Sequence, residues 1–371
     1  MSEPVADLVP LAFADLPGWG DAPLVPTLVA FRRAASHWAV RPPKTRALGI
    51  GGEALAAVAA RAAALSDPLD EPSARAFFES RFTPHRVVPR FGEPFLTGYY
   101  EPELDGSRVP TDRFRWPLLA RPDDLVDLDA SNRPPSIDPS WAFARRTEAG
   151  LVPYFDRGEI EDGALAGRGL ERVWLDDPVD AFFVHVQGSV RIRLEGGGIL
   201  RMAYDGKAGH PYTSIGRIAI DRGLIPAEEM TLERLREWLK ADPTAARALM
   251  RENRSFVFFR EQPDLDPDLG AVAAAGLPLT PGVSLAVDRT LHTFGTPIFL
   301  DADLPLGDDG TVIPFRRLML AEDTGSAILG PARGDVFVGL GPEAGRRAGR
   351  IRHVPRTFVV LVPNPDGEGA P

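Results

Sequence analysis

At 371 residues, 44% hydrophobic and 25% charged, the sequence has the make-up of a folded chain long enough for two domains. Its net charge of −10, with arginines interleaved among acids, excludes a nucleic-acid backbone as partner, because a polyanion is held by grouped Lys and Arg. The absence of cysteine excludes disulfides and thiolate metal sites and leaves the redox compartment open.

The first twenty residues have no basic start, no apolar core and no small-residue cleavage site. No window approaches the roughly 18 apolar residues of a membrane span, so a soluble chain is expected. Leu28, Val29, Phe31, Ala35 and Trp38 fall near helical spacing over Pro26 to Val40. An Ala-rich helix is predicted from Glu53 to Leu65, and a third after Pro72 with Phe77, Phe78 and Phe82 on its apolar face. Together these form a small helical unit of about 80 residues, with no polar constellation and a structural role.

The character changes near Phe95. Phe95 to Arg108 alternates like a strand and ends in an Asp105-Gly106 turn. Tyr99 and Tyr100 must then point to opposite faces, so at most one lines a given cleft. That one is either a core aromatic or a stacking platform for a sugar ring. Pro117 to Asp156 reads as a long surface excursion. Ala181 to Val186 is a dense β-type run, forming a hairpin with Val190 to Leu194 around Gln187, Gly188 and Ser189. Gln187 has the donor and acceptor groups that suit hydroxyls and N-acetyl groups, or is simply solvated; His185 is expected to be a satisfied core histidine. A further strand covers Leu200 to Tyr204, a turn Tyr212 to Gly216, and two helices start at Thr231 and at Asp242-Pro243.

The last hundred residues read as strands at Ser284–Val287, Thr296–Leu300, Phe315–Ala321, Asp335–Val338 and Thr357–Val362, separated by Gly/Pro turns. With 36 glycines and 37 prolines and no low-complexity repeat, a β-rich fold and a small closed barrel are expected. Asp288, Asp323 and Asp335 stand at three strand ends beside turn glycines, which suggests a carboxylate-lined groove. The loop acids Asp301, Asp303, Asp308 and Asp309 fail the calcium-loop template, because Pro305 stands at its fifth position. Phosphate-loop, dinucleotide, HExxH and nucleophile-elbow patterns are absent, and the six histidines form no paired ligand spacing. Neither cofactor nor metal is expected. Acid–base work by carboxylates remains, with glycoside cleavage the leading reaction class.

Five motifs in order resemble the membrane-bound lytic murein transglycosylase A family: GYYEPEL (Gly98–Leu104), FFVHVQGS (Phe182–Ser189), PYTSIGR (Pro211–Arg217), LTPGVSLAVD (Leu279–Asp288) and AEDTGSAILGPARGDVFVGLGPEAG (Ala321–Gly345). The resemblance spans roughly Phe95 to Val362 and includes the family's three-aspartate module, about 279–362. It implies a double-psi β-barrel domain from residues 1–103 and 251–371, with N-terminal helices, and a smaller β-domain inserted at 104–250, with a wide groove between the two. It implies cleavage of the β-1,4 bond between N-acetylmuramic acid and N-acetylglucosamine, with 1,6-anhydromuramic products. Asp335 matches the catalytic acid, and Asp323 is its expected partner. Substrate contacts are expected from Asp288, Tyr99, Tyr100, Gln187, Gly188, Ser189, Thr324 and Gly325, although Asp288 equally suits a turn that bonds backbone amides. The partner is the glycan strand of peptidoglycan, cell-wall synthesis proteins are candidate protein partners, and a monomer is expected. A periplasmic or outer-membrane-associated address follows from the resemblance alone, because the sequence carries no lipid-attachment cysteine. The rival readings are a hydrolase with the same groove and a non-catalytic wall-binding module.

Overall fold

The computed structural model of the chain describes residues 4–263, 266–307 and 309–365. The chain is mostly β with some helices. It divides into two units, one of Met1–Tyr100 with Asp266–Pro371 and one of Glu101–Leu265. The boundaries expected at 104 and 250 move accordingly.

The first unit opens with β1 (Ala6–Pro10), α1 (Val25–Val40), α2 (Gly52–Ala63) and α3 (Glu71–Arg81), then β2 (Phe82–Pro89) and β3 (Phe95–Glu101). The three helices lie where their spacing predicts. α1 buries Leu28, Phe31, Ala34 and Trp38, while Val29, turned off that face, is 43% exposed. α3 is started by Asp70, whose carboxylate accepts from Ser73 N at 2.8 Å, with Pro72 in the first turn. These helices are not a separate body, because their apolar faces share one core with the C-terminal strands.

The second unit contains β4 (Glu103–Ser107), β5 (Trp116–Leu119), β6 (Leu125–Asp127), β7 (Phe143–Thr147), β8 (Gly150–Val152), the single turn α4 (Arg157–Glu159) and β9 (Glu171–Leu175). It continues with α5 (Pro178–Gln187), β10 (Ser189–Leu194), β11 (Ile199–Lys207), α6 (Ile215–Asp221), α7 (Leu232–Ala241), α8 (Pro243–Arg251) and β12 (Val257–Gln262). Six strands form one sheet in the order β12-β11-β10-β4-β9-β5, and β6-β7-β8 form another. Because β12 pairs with β11, the stretch after residue 250 stays with this unit.

Four expectations are corrected here. Ala181 to Val186 is helix, not strand, so Gln187, Gly188 and Ser189 are no hairpin turn. Asp177 accepts from Val179 N at 2.7 Å and Pro178 follows, an N-terminal cap that overrides the β-propensity of Phe and Val. The helix reads as uniformly apolar because it touches two cores: Val179, Phe182 and Phe183 in one, Val184 in the other. Gly106 lies inside β4 rather than in a turn, since a Cβ there would stand 2.6 Å from Ile192 Cγ2 and 3.0 Å from Trp174 O. The excursion from Pro117 to Asp156 carries β6, β7 and β8, whose single apolar residues, Leu125 and Phe143 among them, join a core of their own. Tyr212 to Gly216 runs into α6, which Ser214 Oγ caps by accepting from Arg217 N at 3.3 Å.

The chain returns to the first unit with β13 (Ser284–Val287), β14 (Pro297–Leu304), β15 (Ile313–Asp323), β16 (Arg333–Leu340), α9 (Gly341–Ala348), β17 (Arg352–His353) and β18 (Thr357–Pro363). Nine strands form a sheet in the order β1-β2-β18-β14-β15-β13-β16-β3-β17. Among the described residues this ladder runs from β1 to β17 without pairing back, in place of the closed barrel expected. α9, which the glycines of Gly341–Gly349 conceal in the sequence, follows β16 directly. The loop acids have local partners. Asp301, 2% exposed, is held by Arg316 and Arg356, Arg356 also bonds Asp303, and Asp309 accepts from Thr311 N at 2.8 Å. Asp308 lies outside the described residues.

Candidate active site

β15, β13, β16 and β3 lie side by side in the nine-stranded sheet. Ala286 of β13 faces Asp335 across an antiparallel pair and Asp323 across a parallel one. Residues that face each other across a ladder project to the same side, so Asp323, Ala286 and Asp335 share one face. Phe337, two residues beyond Asp335, belongs to it as well. β3 supplies two alternate side chains. Thr97 Oγ1 donates to Asp335 Oδ1 at 2.5 Å, and the Tyr99 hydroxyl donates to Asp323 Oδ2 at 3.0 Å. The Tyr99 ring centroid lies 5.2 Å from that of Phe337, in a small cluster with Ala286 and Leu279.

Both aspartates are half-buried. Burial pushes the Asp335 carboxyl up to about 6 and the charge of Asp323 adds to this, while the Thr97 hydroxyl and the Arg333 guanidinium oppose it. Asp323 is also raised by burial, against bonds from Thr324 N, the Tyr99 hydroxyl and Ala274 N. Burial and the charges of Asp323, Asp335 and Glu322 push the Tyr99 phenol well above its ordinary value, so it stays a neutral donor. Arg333 reaches back to β3, donating to Thr97 Oγ1 at 2.6 Å. Among the described residues no ion pair locks Asp335, so its proton affinity remains poised for general acid–base work.

Asp288 is placed differently. It is 6% exposed, and its carboxylate accepts from Thr290 N at 2.9 Å, Thr290 Oγ1 at 2.6 Å and Gly330 N at 2.9 Å. It therefore fixes the turn after β13 to the loop that leads to Asp335. Buried His292, pushed down to about 4 and hence neutral, meets Pro331 O with Nε2 at 2.8 Å, which makes Nε2 the protonated nitrogen. Thr324 Oγ1 donates to Val287 O at 2.9 Å and completes the anchoring of this loop. Thr324 and Gly325 are half-exposed just beyond Asp323. Tyr100 turns away from Tyr99 and packs its ring over Gly345 of α9. Gln187, Gly188 and Ser189 belong to the second unit, where they end α5 and begin β10. Nearby, His185 Nδ1 accepts from Val257 N at 3.3 Å, and burial holds the ring neutral.

Sequence reasoning did not single out Thr97, Arg333, Glu322 or Ser284. The first two carry a signal: Thr97 precedes Tyr99, and Arg333 precedes Asp335, by the two-residue period of a strand. The other two do not, because only the strand register brings them together.

Residues 95–260 match the MltA specific insert domain and residues 283–361 match the 3D domain. A membrane-bound lytic murein transglycosylase A of Vibrio cholerae is 33% identical over 279 residues, 74% of this chain and 67% of that relative. The crystal structure of a membrane-bound lytic murein transglycosylase from Agrobacterium tumefaciens is 43% identical and superposes with a TM-score of 0.89, covering 96% of this chain and 98% of that one. The chain belongs to the membrane-bound lytic murein transglycosylase A family. A further member, MltA of Escherichia coli, has been solved with bound chitohexaose; it is 25% identical, with a TM-score of 0.66 over all of this chain and 94% of that one. Among the described residues of this family member, no helix is long and apolar enough to cross a membrane.

Proposed function

We infer that this chain is a peptidoglycan lytic transglycosylase in which Asp335 performs both proton transfers. The observation that carries this reading is one poised acid, half-buried, bonded by Thr97 and free of any ion pair among the described residues. As a neutral carboxyl, Asp335 protonates the oxygen of the β-1,4 bond between N-acetylmuramic acid and N-acetylglucosamine, and the bond from that oxygen to the anomeric carbon breaks. As a carboxylate, it then takes the proton of the muramic C6 hydroxyl, whose oxygen closes on the anomeric carbon to form the 1,6-anhydro ring. No water is consumed. The attack is intramolecular, so it needs no second carboxylate to activate a nucleophile. Asp323, oriented by Tyr99, supports the oxocarbenium-like centre. Thr324 and Gly325 are its adjoining sugar contacts, and Asp288 holds the loop rather than the glycan.

The substrate follows from the family and from the chitohexaose bound to its Escherichia coli member, a chain of β-1,4-linked N-acetylglucosamine. We assign the double-psi arrangement of this reading to β13, β15 and their neighbours, where the parallel pair β13–β15 stands among antiparallel strands. A wall substrate assigns a periplasmic or outer-membrane-associated address. Digestion of purified sacculi followed by mass spectrometry tests the chemistry. Anhydro-ended muropeptides, lighter by one water than hydrolysed ends, are expected from the wild type and not from Asp335→Asn. Reducing-end products would make the protein a hydrolase, and sedimentation with sacculi without soluble product would make it a binding module.

A further inference from the structure

The two oxygens of Asp335 are not equivalent. Oδ1 lies 2.5 Å from Thr97 Oγ1, whereas Oδ2 has no hydrogen-bond partner among the described residues and is not sealed from solvent. The same threonine oxygen lies 2.6 Å from Arg333 Nη2. A guanidinium has five N–H donors and no acceptor, so Thr97 Oγ1 must accept from it. The hydroxyl then has one hydrogen to place, and among the described residues Asp335 Oδ1 is the acceptor within its reach. The guanidinium itself is clamped. Its Nη1 donates to the carbonyls of Gly334 and, at 3.3 Å, of Phe95, and its Cζ lies over the Phe95 ring, 5.4 Å from the centroid. Phe95 N bonds Ala332 O at 3.0 Å, which ties the starts of β3 and β16 together beside this contact.

We propose that Arg333, through Thr97, commits Oδ1 of Asp335 to accepting a hydrogen bond, so that Oδ2 alone carries the catalytic proton and serves both transfers. Arg333 is thus a positioning residue that acts through the threonine hydroxyl. The inference rests on the transglycosylase reading above. In the first transfer the Oδ2–H bond breaks as its proton passes to the bridging glycosidic oxygen. In the second, Oδ2 takes the proton of the muramic C6 hydroxyl, and the acid returns to its starting state with no proton gained or lost. The leaving oxygen and the C6 hydroxyl must therefore reach the same oxygen in turn. Between the two transfers the carboxylate is held by a hydroxyl that a cation polarises, which strengthens that bond. The charged and titratable groups that face Asp335 are Arg333 on its own strand, the Tyr99 phenol on β3 and Asp323 on β15. Next to Asp323, Glu322 is the extra residue of a β-bulge against β13 and accepts from Ser284 Oγ at 2.5 Å.

Neutron diffraction from deuterium-exchanged crystals of the wild type reads these hydrogens directly and needs no variant to fold. At about pH 5, below the Asp335 value of about 6, deuterium is expected on Oδ2, with the Thr97 hydroxyl aimed at Oδ1. Deuterium on Oδ1, or a Thr97 hydroxyl aimed elsewhere, would overturn the proposal. In solution, Arg333→Met removes the donor to Thr97 together with its charge. The alkaline limb of kcat/KM for release of anhydro products should then move to higher pH, by roughly 0.5 to 1 unit. In a Thr97→Val background the same substitution should move it less, because the part carried by the hydroxyl is already gone. Shifts that simply add in the double variant would overturn the relay through Thr97. Thr97→Ser, which keeps the hydroxyl, should bring back the limb that Thr97→Val displaces, and a limb still displaced in Thr97→Ser would count against the relay in the same way. Wild-type protein with the expected hydrogen placement but no anhydro product would overturn the transglycosylase reading instead.

Discussion

Asp335 is bracketed by two groups that lower its proton affinity, the Thr97 hydroxyl and the Arg333 guanidinium, and by burial that raises it. Removing the hydroxyl in Thr97→Val leaves burial less opposed. A hydrogen bond worth about 1 kcal/mol corresponds to roughly 0.7 of a pH unit, so the alkaline limb of the pH–rate profile should move up by that amount. A profile that stays in place would take Thr97 out of the tuning. For Asp335→Asn, loss of the proposed acid–base group should cost about 10²–10⁴ in kcat while binding to sacculi is retained, readable by co-sedimentation. Asp323→Asn should lose less, because the mechanism proposed has it support charge rather than transfer the proton. Equal losses in the two variants would make the pair jointly essential.

At the scale of elements, short signals outweighed long ones. The run Phe182–Val186 has the composition of a strand, yet Asp177 and Pro178 before it and Gly188 after it, at φ 83°, bound a helix. The same Asp-Pro pair announces α8 at Asp242 and Pro243. Asp177→Ala removes the acceptor for the first turn of α5 and should cost about 1 kcal/mol in urea unfolding, with the slope unchanged. The effect should be larger in Gly106→Ala, since the close packing of Ile192 and the Trp174 carbonyl on β4 leaves no space for a methyl. A Gly106→Ala variant as stable as the wild type would show that the strand relaxes freely.

Across the whole molecule, the raised acids set a stability cost that grows with pH. A carboxyl whose affinity is higher in the folded state binds more protons folded than unfolded between its two pKa values. Stability therefore falls as pH rises from about 3.8, the ordinary value, through about 6 for Asp335. Asp335→Asn removes that penalty. Its melting temperature should exceed that of the wild type at pH 8, with the difference narrowing toward pH 4. An equal difference at both pH values would show that the folded state does not perturb this acid. The N-terminal helices contribute at this scale too. Leu28, Phe31 and Phe78 share a core with Phe299, Leu318 and Val360, and Thr27 Oγ1 bonds Leu318 O at 2.5 Å. Deletion of the residues before Phe82 should give insoluble protein, whereas a soluble, cooperatively melting product would restore them as an independent unit.

From the sequence alone, helical periodicity and caps determined α1, α2, α3, α7 and α8, and apolar runs between glycines and prolines determined β13 to β16 and β18 as strands. Family motifs pointed to Asp323 and Asp335, because side-chain chemistry and local spacing are written in residue order. The tertiary structure decided the rest: that Tyr99 rather than Tyr100 meets the acids, that Asp288 bonds a loop, and that a bulge turns Glu322 toward Ser284. Each of these depends on strand register between segments far apart in the chain, and a shift of one residue would reverse the faces.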